Sequence, residues 1–164
     1  MECKKILIAV DGSENSLRAV RYVSDMLPHA GAVSIKLLYV ERLPDRDFFP
    51  DEQKWKEECN ELRKNVVKFM DTAKNLIVST GISGENIETE YLYDCASPLL
   101  DGEQNRCSLG TSIAKEILNV VEKEGIGTVV VGRRGVSKAE EFLFGSVSSR
   151  IIHDAKYCTV WVVS

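Results

Sequence analysis

In VVVGRRGVSKAEEFLFGSVSSRII, residues Val129 to Ile152, a run of valines ends at Gly132. Gly135 follows after two residues, and nine residues later Gly145 stands directly before Ser146. A short β-branched run closed by glycine reads as a buried strand. Val147, Ile151 and Ala155 recur at four-residue spacing, which predicts a short helix over 146–155. In an open parallel sheet, ligands sit where strand C-termini meet helix N-termini, at the point where strand order reverses. There the missing Cβ atoms of Gly132 and Gly135 would let backbone N–H groups approach an anion. The free N–H groups and partial positive charge of a helix starting at Gly145-Ser146, with the hydroxyls of Ser146 and Ser148, would form a phosphate cradle. Turn geometry alone also explains glycines after a strand. Neither GxGxxG nor GxxxxGK[ST] is present. The residues by themselves therefore support an anion site and no more.

The rest of the chain supplies a setting for that site. KKILIAV, Lys4 to Val10, reads as a buried strand, and Asp11-Gly12-Ser13 as a turn that caps a helix. That helix carries Leu17, Val20, Val23 and Leu27 on one face and ends near Pro28 and Gly31. Val33 to Val40 is a second strand, and Glu41 to Asp51 a loop. A long helix follows with an inward stripe of Trp55, Cys59, Leu62, Val66, Phe69, Ala73 and Leu76. Ile87 to Tyr93 alternates, which predicts a strand near a sheet edge. Asp94 to Gly110 has turn residues and no periodicity, a longer loop than a compact domain needs, and such loops tend to be functional or mobile. Thr111 or Ser112 can cap a helix with Ile113, Ile117 and Val121 inside, ending at Gly125. Thr128 to Val131 and Cys158 to Val163 complete five strands. This β-α alternation predicts an α/β fold, one domain over 1–164 with an open, doubly wound parallel sheet and right-handed crossovers.

Composition narrows the function. Of 164 residues, 44% are hydrophobic and 28% charged, ordinary values for a globular domain. A net charge of −4 argues against a nucleic-acid partner, which calls for a basic face. No apolar run reaches the length of a membrane span, and Ile6 to Val10 is too short for an export signal, so a cytoplasmic location is expected. The five cysteines (Cys3, Cys59, Cys95, Cys107, Cys158) form no CxxC pair and read mostly as small buried hydrophobes, with Cys95 and Cys107 as the candidates for a regulatory thiol. His29 and His153 read as surface or packing residues.

The spacing Gly-x2-Gly-x9-Gly-Ser at Gly132, Gly135, Gly145 and Ser146 resembles the ATP-binding signature of the universal stress protein family. ILIAVDGSENSLRAVRYV, LLYVE, TVVVGRRG and GSVSSRIIHDAKYCTVWVV resemble family segments in the same order along nearly the whole chain. The resemblance implies a Rossmann-like, five-stranded sheet of order 3-2-1-4-5, with ATP between strands one and four. It also implies residue roles. Asp11 would lie near ribose and adenine, with the backbone of Ala9 and Val10 on the same wall. The main chain of Val40 would contact adenine, and Val131 and Gly132 would flank the ribose. Gly135, Gly145, Ser146, Val147 and Ser148 would hold the phosphates, with Mg²⁺ or Mn²⁺ bridging them. Arg133 and Arg134 could neutralise phosphate or be solvated. Two departures stand out: Ala139-Glu140-Glu141, where relatives often carry basic residues, and the length of 94–110. The expected function is that of an ATP-dependent regulatory or stress-response protein with an as yet unknown protein partner. A slow Mg-dependent ATPase and a nucleotide-independent homodimeric scaffold are the alternatives. The last strand, 158–163, would be an unblunted apolar edge, and homodimerisation through it is expected.

Overall fold

The computed structural model describes residues 2–27, 33–102, 106–110, 112–133 and 145–164. Gly135, Arg134, Ala139-Glu140-Glu141, Thr111 and His29 lie outside the described residues, so the middle of the glycine signature carries no structural account. The element order is β1 (Glu2–Ala9), α1 (Glu14–Met26), β2 (Ser34–Val40), α2 (Glu52–Ser79), β3 (Ile87–Leu92), α3 (Ile113–Glu124), β4 (Ile126–Gly132), α4 (Ser146–Asp154) and β5 (Thr159–Val163). All pairings are parallel and the sheet order is β3-β2-β1-β4-β5, as expected. The order reverses between β1 and β4, because the chain first adds strands to one side of β1 and then returns to the other.

Each strand shows its alternate side chains to opposite layers, so apolar runs without polar alternation are what two covered faces require. Ile6, Ile8, Ile35, Leu37 and Val130 pack under α1 and α2 with Ala19, Val20, Val23, Met70, Ala73 and Ile77. Leu7, Leu38, Val129 and Val131 pack under α3 and α4 with Ile117, Val120, Val121 and Ile151. The buried face of α2 differs from the expected stripe: Trp55, Cys59, Val66, Met70, Ala73 and Ile77 are buried, while Leu62 is 39% exposed. At 28 residues α2 spans about 42 Å, roughly twice the length of a six-residue strand. Periodicity shows which side of such a helix faces inward but not which positions on it are covered, and Leu62 is exposed between buried Cys59 and Val66.

Candidate functional site

The C-terminal ends of β1, β2 and β4 open into a cleft of about 200 Å³ at the reversal point. Its walls hold Ala9, Val10, Asp11, Val40, Val131, Gly132, Gly145, Ser146, Val147 and Ser148, ten of the sequence-predicted residues. Arg133 is not on the wall; its backbone N–H bonds Val163 O at 2.7 Å, tying β4 to the end of β5. Sequence reasoning missed Ser16, Leu38, Tyr39, Arg42, Ile113 and Ile117, which complete the lining. Tyr39 and Arg42 flank Val40 and follow from the rule that strand C-termini carry the site. Ile113 and Ile117 gave no separate signal, because a helix position that lines a cleft has the same spacing as one that fills a core.

Two strand-to-helix turns enter the cleft. At the first, Asp11 Oδ1 accepts from Ser13 N at 3.0 Å and from Ser13 Oγ at 2.5 Å. Ser13 caps α1, its Oγ accepting from Ser16 N at 3.3 Å, and Glu14 adds an acid to the first turn. Gly12 sits at φ +79°, which suits a residue without Cβ. At the second turn Gly145 is the N-cap of α4, with no side-chain capping bond and no acid in the first turn. The N–H groups at the start of a helix have no intrahelical partner, so the first turn of α4 presents donors and partial positive charge to the cleft. Ser146 stands at the first position of that turn. Ser148 corrects an expectation: its Oγ donates to Gly145 O at 3.0 Å and the residue is buried, so its hydroxyl proton serves the helix and is not held out to a ligand.

Gly132 also owes its identity to something other than an anion. A Cβ built there would stand 2.4 Å from Asn15 O and 2.9 Å from Ser16 N. The absent side chain lets the first turn of α1 lie directly on the end of β4, which narrows the cleft on that side.

The segment that follows β3 forms a neighbouring wall. Cys95 and Cys107 are joined in a disulfide (Cα–Cα 5.0 Å), which corrects the reading of either as a free regulatory thiol or a small buried hydrophobe. Cys59 and Cys158 are free, and burial raises both thiol pKa values, helped at Cys59 by Glu41. Cys95 N donates to Ser108 O at 2.8 Å and Ser108 N to Tyr93 O at 2.7 Å, a short parallel bridge that extends the sheet beyond β3. Buried Glu41 accepts from Asp94 N (2.8 Å), Tyr91 Oη (3.0 Å) and Ser97 Oγ (3.2 Å). Burial first, then Glu41, pushes the Tyr91 hydroxyl well above its usual range, so it stays a donor to that carboxylate. Arg106 reaches Glu90 and Glu124, beside buried Lys36, whose Nζ meets Glu124 at 2.8 Å, Glu90 at 2.9 Å and Glu88 at 3.0 Å. Burial would lower the Lys36 pKa, but its carboxylates outweigh that and raise it. Glu90 is the converse: burial alone would raise its pKa, and Lys36 and Arg106 lower it. Over its described residues the expected free loop is thus held by a disulfide, a backbone bridge and ion pairs. A chamber lined by Glu41, Asp94, Ser108, Gly110, Ser112 and Arg150 adjoins the cleft and shares Val40, Arg42, Ile113, Ser146 and Val147 with it.

Comparison with known proteins fits this geometry. The model of the universal stress protein family matches residues 101–164. Universal stress protein YxiE of Bacillus subtilis is 28% identical over 97% of each chain. Among solved structures, hypothetical protein MJ0577 superposes with a TM-score of 0.70 at 23% identity, over 99% of this chain and 96% of its own. The universal stress protein of Archaeoglobus fulgidus in complex with dAMP superposes at 0.61 and 18% identity, over all of both chains. The structural matches establish the shared fold, and the sequence matches reach further. The chain is thus similar to universal stress proteins over 101–164 by the family model and over nearly its whole length by its likeness to YxiE.

Proposed function

We propose that the chain is an ATP-binding regulatory protein of the universal stress type, which uses nucleotide occupancy of the β1–β4 cleft to alter its shape or its partner. The observation that carries this is the first turn of α4: among the described residues it has no side-chain cap from Gly145 and no acid, and with Asp11 it lines the cleft. Such a turn suits phosphate. Tyr39, Val40, Ile113 and Ile117 offer an apolar slot for adenine, and Asp11 and Val131–Gly132 lie where a ribose would join the two. The dAMP complex of the Archaeoglobus fulgidus relative supports an adenine nucleotide.

Among the described residues no group of three or more His, Cys, Asp or Glu could hold a metal ion. Mg²⁺ or Mn²⁺ would therefore arrive with the nucleotide, held by phosphate oxygens and the Ser146 hydroxyl, the usual habit of a hard cation that keeps its waters. Asp11, the only acid on the wall among the described residues, is engaged by Ser13, so hydrolysis is expected to be slow relative to the ~1–10³ s⁻¹ of typical enzymes. β5 pairs with β4 on one side only, and its Val160, Trp161, Val162 and Val163 are half-buried, which supports a homodimer through that edge.

Calorimetric titration with ATP tests the main claim. Wild-type chain should bind, and Gly145→Val, whose side chain would cover the α4 N-terminus, should not. Equal affinity in the two would sink the assignment. For the dimer, sedimentation should show a monomer for Val160→Lys and a dimer for wild type; a wild-type chain that stays monomeric at high micromolar concentration rules out this interface.

A further inference from the structure

We propose that the Cys95–Cys107 disulfide is a redox control on the nucleotide cleft: reducing it loosens the adjoining chamber, whose lining includes Asp94, Ser108 and Gly110, and so weakens nucleotide binding. This rests on the nucleotide reading above and names the regulation of that same site.

Both ends of the bridged segment line the chamber that adjoins the cleft. Upstream, Asp94 N and Ser97 Oγ hold the carboxylate of Glu41, which lies between the lining residues Val40 and Arg42. Downstream, Ser108 and Gly110 line the adjoining chamber and lead through Ser112 into the lining residue Ile113. Between those ends, the backbone bridge at Ser108 is a single rung of two hydrogen bonds. That rung, the Arg106 ion pairs and the Glu41 hydrogen bonds are the non-covalent tethers, and the disulfide is the covalent one that fixes the spacing of the two ends. The bond is also reachable, because Cys95 is exposed and Cys107 half-buried. Buried Cys59 and half-buried Cys158 have thiols that burial keeps protonated, so thiol chemistry among these four falls on the bridged pair.

The reductant required is a dithiol. Its thiolate attacks one sulfur, the S–S bond breaks, and a mixed disulfide forms with the other cysteine leaving as thiolate. The second thiol of the reductant then displaces the remaining cysteine and leaves as a cyclic disulfide. The protein gains two electrons and two protons, and the reductant loses the same.

The test is calorimetric titration of the full chain with ATP in three forms: oxidised, reduced in dithiothreitol, and Cys95→Ser. The reduced chain and Cys95→Ser should bind about 5- to 150-fold more weakly than the oxidised chain, the usual range of coupling between sites, and reoxidation should restore the reduced chain. In Glu41→Gln, which weakens the link between segment and strand, the ratio between oxidised and reduced forms should shrink. Equal affinity of the oxidised and reduced chains overturns this inference and leaves the nucleotide reading standing. No ATP binding by the oxidised chain overturns both. Loss of the cooperative thermal transition on reduction also overturns it, since the bond would then be a fold staple and not a control.

Discussion

The N-termini of α1 and α4 meet in the cleft and are finished differently. Asp11-Gly12-Ser13 uses its own oxygens: Ser13 caps α1, Asp11 takes the N–H and hydroxyl of Ser13, and Glu14 adds negative charge. Gly145 brings no side chain to cap α4, and no acid follows it in the first turn. The α1 start is closed by its own side chains, whereas among the described residues no side chain caps the α4 start. The cleft is therefore electrically asymmetric, with acceptor oxygens and an acid at the α1 start and helix N–H donors at the α4 start.

The largest expected effect comes from forcing the two sides apart. Gly132→Ala places a Cβ against the backbone of Asn15 and Ser16, which cannot move aside as a flexible side chain would. It should destabilise the chain by about 3 kcal/mol, the upper part of the overpacking range, with α1 displaced. A urea midpoint within error of wild type would show that the close approach is relaxed in solution.

Next, Gly145→Asp makes the second turn resemble the first. The backbone at φ −55°, ψ 151° accepts any residue. The new carboxylate should cap α4 and raise stability by a few tenths of a kcal/mol. It should also weaken ATP binding by roughly 100-fold, equivalent to about 2.7 kcal/mol. Stability and affinity moving in opposite directions is the diagnostic. A variant that binds ATP as wild type does would mean that α4 is not the phosphate end.

Ser13→Ala opens the first turn by removing its cap. A cost of about 1 kcal/mol in chemical denaturation is expected, together with loss of the hydroxyl bond to Asp11, whose bond from the residue 13 backbone N–H stays. No change would mean that Asp11 alone orders the turn. The smallest effect belongs to Glu14→Gln, which removes only the acid at the α1 N-terminus. It should cost about 0.5 kcal/mol at low salt, fading as salt screens the helix charge. A loss that persists in high salt would point to a specific contact instead.

Much of this was legible beforehand, and for different reasons. The strands of KKILIAV and TVVV were readable because burial on two faces leaves only apolar β-branched runs. The Ser13 cap was readable because capping is a local bond between neighbours in sequence. The α2 stripe was readable only in outline, and Leu62 fell outside it because the sheet below, not the helix, sets what is covered.

By itself, the sequence determined the alternation of strands and helices, the Ser13 cap and the glycine-serine start of α4, all governed by interactions within about one helical turn. Tertiary structure alone decided the rest. The pairing of Cys95 with Cys107 and the burial of Glu41 under Asp94 and Ser97 depend on where a periodless segment lands. The need for glycine at 132 comes from the turn at Asn15, more than a hundred residues away in the chain. The roles of Ile113 and Ile117 depend on whether the space beside them is filled or open. Each is a contact between distant parts of the chain, and local residue patterns carry no information about which distant partner will arrive.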